Sequence, residues 1–158
     1  MEEDTMSEGR YPIQKLLLNE YIPLKCGYCG KDLLETADSE GRESIVVLVT
    51  SVDSDPRRVF DIYWSCKGNC DEELKTRLST PNSTTSFEDI SDLLNPIMLL
   101  NWVFDTMDKL RYGRDIYEDE AYEKEKEFIA ALSQRVFQEI TDEDRKNAQA
   151  NFDLPGRT

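Results

Sequence analysis

The residues with the most distinctive chemistry are four cysteines in two close pairs, Cys26-Gly27-Tyr28-Cys29 and Cys66-Lys67-Gly68-Asn69-Cys70. None is left over. Ionised thiols are soft ligands, and two short-spaced pairs brought together offer a tetrahedron of sulfurs that suits Zn²⁺ at about 2.3 Å per Zn–S bond. A reducing interior favours that outcome over a disulfide. The spacing alone also admits a disulfide frame, an iron–sulfur centre or unligated core thiols, although iron–sulfur runs usually bring three cysteines close together.

Other elements must bring the pairs together. Gly27 and Gly30 suit a tight turn that aims backbone N–H groups and sulfurs at one ion, because glycine accepts the positive φ such turns need. Between the pairs, Ser44–Val52 and Val59–Cys66 are β-branched and aromatic runs joined by a polar link, Asp53–Arg58, that contains Pro56. That is a hairpin pattern. Past Gly68 and Asn69, the segment Asp71-Glu72-Glu73-Leu74-Lys75-Thr76-Arg77-Leu78 places acids first and bases last, as a helix dipole favours. The second pair therefore straddles a strand end and a helix start.

A knuckle, a hairpin and then a helix whose first turn carries the last cysteine is an order that resembles a treble-clef zinc finger, over Lys25 to about Leu78. The resemblance implies that Cys26, Cys29, Cys66 and Cys70 are the ligands of an ion that holds the module together. It departs from the treble-clef nucleases, which place a catalytic histidine on the hairpin, because this chain has no histidine. A four-cysteine site is also closed to an activated water, so the expected zinc is structural. With four thiolates the site carries a net charge of about −2, which Lys25, Lys31 and Lys67 beside the cysteines could offset. They are equally well read as ordinary surface lysines.

The missing histidine removes Ser-His-Asp and Cys-His chemistry, zinc hydrolases of the H-E-x-x-H kind and deaminase-type sites. Seven glycines fall in neither G-x-G-x-x-G nor G-x-x-x-x-G-K-[ST] spacing, so no loop is built to cradle a nucleotide phosphate. An enzyme would have to rely on carboxylates, Lys or Tyr, with Mg²⁺ as a candidate metal. The apolar runs Ile45–Val49 and Pro96–Leu100 fall far short of the about 20 residues that span a bilayer. Met1–Gly9 carries Glu2, Glu3, Asp4 and Glu8 where a secretory signal carries bases, so the chain reads as cytoplasmic.

Along the remainder, Tyr11–Glu20 predicts a short helix, and Ser79–Thr85 reads as a linker. From Ser86 the pattern is helical. Ser86 caps a turn with Phe87, Ile90, Leu93 and Leu94 on one face, and Asn95-Pro96 starts a helix in which Ile97, Leu100, Val103, Phe104, Met107 and Leu110 follow 3-4 spacing. That helix is expected at the centre of the molecule, ending at Tyr112-Gly113. A third runs from about Tyr117 to Ile140, with Phe128, Leu132, Val136 and Ile140 at fourfold spacing backed by Ile129 and Phe137, and Thr141 caps a last one to about Ala150. The expected fold is α+β, a zinc-stabilised module over 10–78 sharing one core with a helical region over 86–150, between flexible tails at 1–9 and 152–158.

Charge supplies the remaining functional expectation. The chain carries a net charge of −14, and Asp115, Glu118, Asp119, Glu120, Glu123, Glu125 and Glu127 crowd one helix start against Lys124 and Lys126, with Tyr112, Tyr117 and Tyr122 interleaved. A nucleic-acid reader needs clustered bases, and the local cluster is Arg57-Arg58 at the hairpin tip. Carboxylates fixed along a helix can instead imitate a phosphate row and enter the basic groove of a nucleic-acid-handling protein, with tyrosines adding rigid contact area. The plainer reading is a solvated, dipole-compatible face. Trp64, Tyr63 and Trp102 read as core rather than as stacking platforms. The expectation is a non-enzymatic acidic interaction module that binds a protein with a basic surface, as a regulator or inhibitor of a nucleic-acid-handling complex. A nucleic-acid-binding zinc finger using Arg57 and Arg58 is the alternative, and a carboxylate-dependent metalloenzyme the second.

Overall fold

A computed structural model describes residues 11–34, 43–53, 57–111 and 115–152. In chain order the elements are α1 (Tyr11–Leu17), β1 (Ser44–Ser51), β2 (Arg57–Cys66), α2 (Asn69–Leu78), β3 (Ser83–Asp89), α3 (Ile90–Leu93), α4 (Pro96–Arg111), β4 (Asp115–Tyr117), α5 (Asp119–Val136) and α6 (Asp142–Phe152). The architecture is α+β. The expected tails at 1–9 and 152–158 lie outside the described residues, apart from position 152 at the end of α6, as does the expected stop at Tyr112-Gly113.

The sheet grows outward from β1. Its run SIVVLVTS pairs antiparallel with β2 on one side and with β3 on the other, in the order β3-β1-β2-β4. β4 lies parallel to β2, from Arg57 opposite Asp115 to Val59 opposite Tyr117. Successive side chains of a strand point to opposite faces, and both faces of β1 are buried, which is why the run is continuously apolar. Val46 and Leu48 join Leu24, Leu33, Ile62, Phe128 and Leu132 in the larger core cluster. Ile45, Val47 and Val49 pack with Tyr63 and Leu74 on the other face, under α2. Three layers result: α2, the sheet, and α5 with its neighbours.

Two expectations for the middle of the chain are corrected. The linker read at Ser79–Thr85 and the helical turn capped by Ser86 are replaced by β3, whose residues Ser83–Asp89 pair with Ser51–Ile45. A turn held by Ser83 N–H to the Thr80 carbonyl and Thr80 N–H to Ser83 Oγ sends the chain back along β1. Without β3, one side of β1 would leave its backbone donors and acceptors unpaired. The hairpin itself forms as expected, but Arg57 and Arg58 belong to β2 rather than to its tip.

The second correction concerns α4, expected at the centre with its 3-4 apolar face inward. Leu99 and Thr106 are the buried residues of this helix, Trp102 is half-buried, and Ile97, Leu100, Phe104, Met107 and Leu110 are exposed. The physical reason is the indole. Trp102 Nε1 donates to Glu125 Oε2 at 2.6 Å and its ring lies 5.9 Å from that of Phe128, so α4 is docked by the face carrying Trp102. Phe128 is also stacked on Trp64, with centroids 5.6 Å apart, which places both tryptophans in the core region.

Helix ends and polar clamps complete the frame. Thr141 and Asp144 form a reciprocal cap at the start of α6, Thr141 N–H donating to Asp144 Oδ2 at 3.0 Å and Asp144 N–H to Thr141 Oγ1 at 3.1 Å. Gln134 of α5 accepts the Ile22 N–H at 2.8 Å and donates to the Glu20 carbonyl, fixing the segment that leads into the first cysteine pair. No helix among the described residues is long and apolar enough to cross a membrane.

Candidate metal centre

The first cysteine pair sits on a turn built by its own backbone. Cys26 N–H donates to the Lys31 carbonyl at 2.8 Å and Gly30 N–H to the Cys26 carbonyl at 3.0 Å, while the N–H groups of Tyr28 and Cys29 both lie 3.4 Å from Cys26 Sγ. Gly30 has φ +81°, a conformation that side chains disfavour. Gly27 was expected to share that property and does not. Its constraint is space, since a Cβ there would stand 3.2 Å from Leu74 Cδ1 of α2. Gly27 N–H also donates to the Trp64 carbonyl at 2.9 Å, tying the turn to the end of β2.

That tie brings the second pair into reach. Cys66 is the last residue of β2, Gly68 turns the chain at φ +85°, and Cys70 is the second residue of α2. Lys67 N–H donates to the Glu43 carbonyl at 2.7 Å, and the Lys67 ammonium pairs with Asp89 at 2.7 Å. Lys67 is thus anchored to the end of β3. The sulfur atoms of Cys26, Cys29, Cys66 and Cys70 all lie within 4.8 Å of one another. A tetrahedron with Zn–S bonds of about 2.3 Å has edges of about 3.8 Å. Cys29 Sγ and Cys66 Sγ stand 3.8 Å apart. The four thiols are free of disulfides, and their spacing and donor chemistry fit one metal ion.

The electrostatics of Cys26, Cys66 and Cys70 are unequal. Burial opposes ionisation of Cys26, but N–H groups of Cys29, Cys66 and Tyr28 outweigh it and bring the thiol down to about 7. Burial together with the hydrogen-bonded thiol of Cys29 pushes Cys66 up to about 11. Burial, with Cys26 and Cys29 adjacent, pushes Cys70 up to about 12. Four negative sulfurs in contact repel one another, and a divalent cation among them removes that penalty. The Arg77 guanidinium lies over the ring of Tyr28, 5.1 Å from its centroid, beside the turn.

The acidic residues predicted to meet a partner do not form one surface. Asp119, Glu120, Glu123 and Glu127 are exposed on the first half of α5, with Tyr122 among them and the Lys126 ammonium over its ring. Glu118 is engaged by Arg58 at 3.0 Å, an ion pair that joins one predicted nucleic-acid contact to one predicted protein contact. Tyr117 and Glu125 are buried, and Glu125 is only 1% exposed, so neither belongs to the surface the sequence suggested. The side chain of Asp115, and Tyr112 altogether, lie outside the described residues.

Glu125 is the functional group sequence reasoning misplaced. Burial holds its carboxyl above the usual carboxylate range, against the opposing influence of Trp102, Lys109 and Tyr117. The available signal was the spacing of Ala121, Glu125, Phe128 and Leu132, which puts all four on the buried side of α5. No family model, curated protein or solved structure matches this sequence.

Proposed function

We propose that the chain is a zinc-stabilised interaction module of treble-clef type that acts by binding another protein and not by catalysing a reaction. The observation that carries this reading is the set of four cysteine sulfurs drawn from a turn, a strand end and a helix start into one tetrahedral-sized cluster. Such a site has no open coordination position, which suits a structural ion. Cys26, Cys29, Cys66 and Cys70 would hold it, and the ion would supply stability rather than a nucleophile. The acidic first half of α5, through Asp119, Glu120, Glu123 and Glu127 around Tyr122, favours a partner with a basic surface. A regulator or inhibitor of a cytoplasmic nucleic-acid-handling complex, working by imitation of a phosphate row, fits that chemistry.

Two measurements test the reading. Elemental analysis of reduced protein is expected to find one zinc per chain, and Cys29→Ser should lower that content severalfold together with the thermal midpoint. Bound iron, or no metal, overturns the zinc assignment. Affinity capture from the native host then provides a partner against which Asp119, Glu120, Glu123 and Glu127 are changed together to Lys. Loss of that partner with the thermal transition retained supports the acidic face. Undiminished capture removes it, salt-sensitive retention on duplex DNA that requires Arg57 and Arg58 favours the nucleic-acid alternative, and Mg²⁺-dependent turnover favours an enzyme.

A further inference from the structure

The outward face of α4 is the largest apolar feature left bare on a single helix among the described residues. Ile97 is 76% exposed, Phe104 and Met107 are each 58% exposed, and Leu100 lies between them. Their 3-4-3 spacing is the a/d pattern of a helix-pair seam. The opposite face of α4 is fixed through Leu99, Trp102 and Thr106, so the seam is displayed on an anchored helix. Leu110 widens it. At roughly 200 Å² per large side chain, these five leave about 550 Å² of apolar surface open. That is the upper end of what a monomer leaves bare, and most of the roughly 800 Å² per partner that a standard interface buries.

Charge indicates what covers it. The whole chain carries −14, yet α4 is neutral, with Asp105 and Asp108 balanced by Lys109 and Arg111, and its first nine residues carry no charge. This face offers no charge to a basic partner and adds none to the repulsion between two acidic copies. In an antiparallel pair of α4 helices, the charged half of each copy lies against the uncharged half of the other, and the helix dipoles oppose. A parallel pair would set Asp108 against Asp108. A groove of about 690 Å³, lined by Leu94, Pro96, Val136, Phe137 and Ile140 among others, opens beside the first turn of α4, where the Leu110 end of an antiparallel neighbour arrives.

We propose that the chain forms a two-fold symmetric dimer through antiparallel packing of α4 on α4, with Phe104 near the axis. A symmetric interface requires one self-complementary patch, which this face provides. The inference uses neither the metal nor the acids of α5, so it stands or falls apart from the functional reading above.

Sedimentation velocity of the full chain as purified under reducing conditions tests it. A species of twice 18.3 kDa is expected at micromolar concentration. Phe104→Glu should weaken association on the order of a hundredfold, the loss of a central hot spot, while zinc content and helical signal stay as in the parent. Phe87→Glu, which changes a 66% exposed side chain on β3, should leave the dimer intact. Ile97→Lys and Leu110→Asp should each dissociate it and restore it when mixed, because only the antiparallel arrangement brings these positions together. A monomer at every concentration, a dimer that survives Phe104→Glu, dissociation by Phe87→Glu, or failure of the mixture to reassociate overturns the proposal.

Discussion

The fold alters the ionisation of Cys26 and Glu125 in opposite directions. Cys26 is drawn towards the thiolate by converging N–H groups, whereas Cys66 and Cys70 are pushed the other way. Burial between α4 and α5 raises the Glu125 carboxyl above the usual carboxylate range. A carboxyl whose pKa is raised on folding binds its proton more tightly in the native state. Its contribution is therefore fully present below the unfolded value of about 4.3 and is lost as pH rises through the folded value. Glu125→Gln keeps the shape and an acceptor for Trp102 while removing the charge. The variant is expected to match the parent near pH 4 and to exceed it in thermal midpoint at neutral pH, as followed by circular dichroism across that range. A deficit that grows with pH would contradict the assignment.

At the scale of elements, the joint between the cysteine turn and α2 depends on Gly27. An added methyl meets Leu74 and has the Trp64 carbonyl behind it, so Gly27→Ala should cost about 1–3 kcal/mol in chemical denaturation. At Gly30 there is open space and the cost of alanine comes from positive φ alone, about 1–2 kcal/mol. The hairpin, α2 and the pairing of the cysteine groups were legible because each rests on local signals: a β-branched run, a Pro-containing link, acids ahead of bases. β3 was not, since STTSFED has no apolar alternation and is a strand only because β1 needs a second neighbour. β4 has three residues and is set by its pairing with β2. For α4 the sequence showed an apolar helix on more than one face, and the hydrogen bond from Trp102 to a residue of another helix decided which face turned inward. The cluster of four sulfurs was legible as two pairs, but the packing of Gly27 on Leu74 that helps align them was not.

Over the whole molecule, Phe128 is the node where the two parts of the sequence meet. It is fully buried, stacks on Trp64 of β2 and touches Trp102 of α4. Phe128→Ala is expected to cost about 3–5 kcal/mol and to lower one shared unfolding transition, read by urea titration with metal content followed in parallel. Two separate transitions would show that the parts melt independently. The layering also bears on how the protein is made. All four cysteines precede α5 in the chain, so the sulfur cluster is synthesised while one side of the sheet still awaits its cover. A fragment ending at Leu78 would keep every ligand yet lack β3 and α5, and it should precipitate on expression even with metal supplied. On that outcome the cover supplied by α5, and not the sulfur cluster alone, is what keeps the sheet from sticking to other copies.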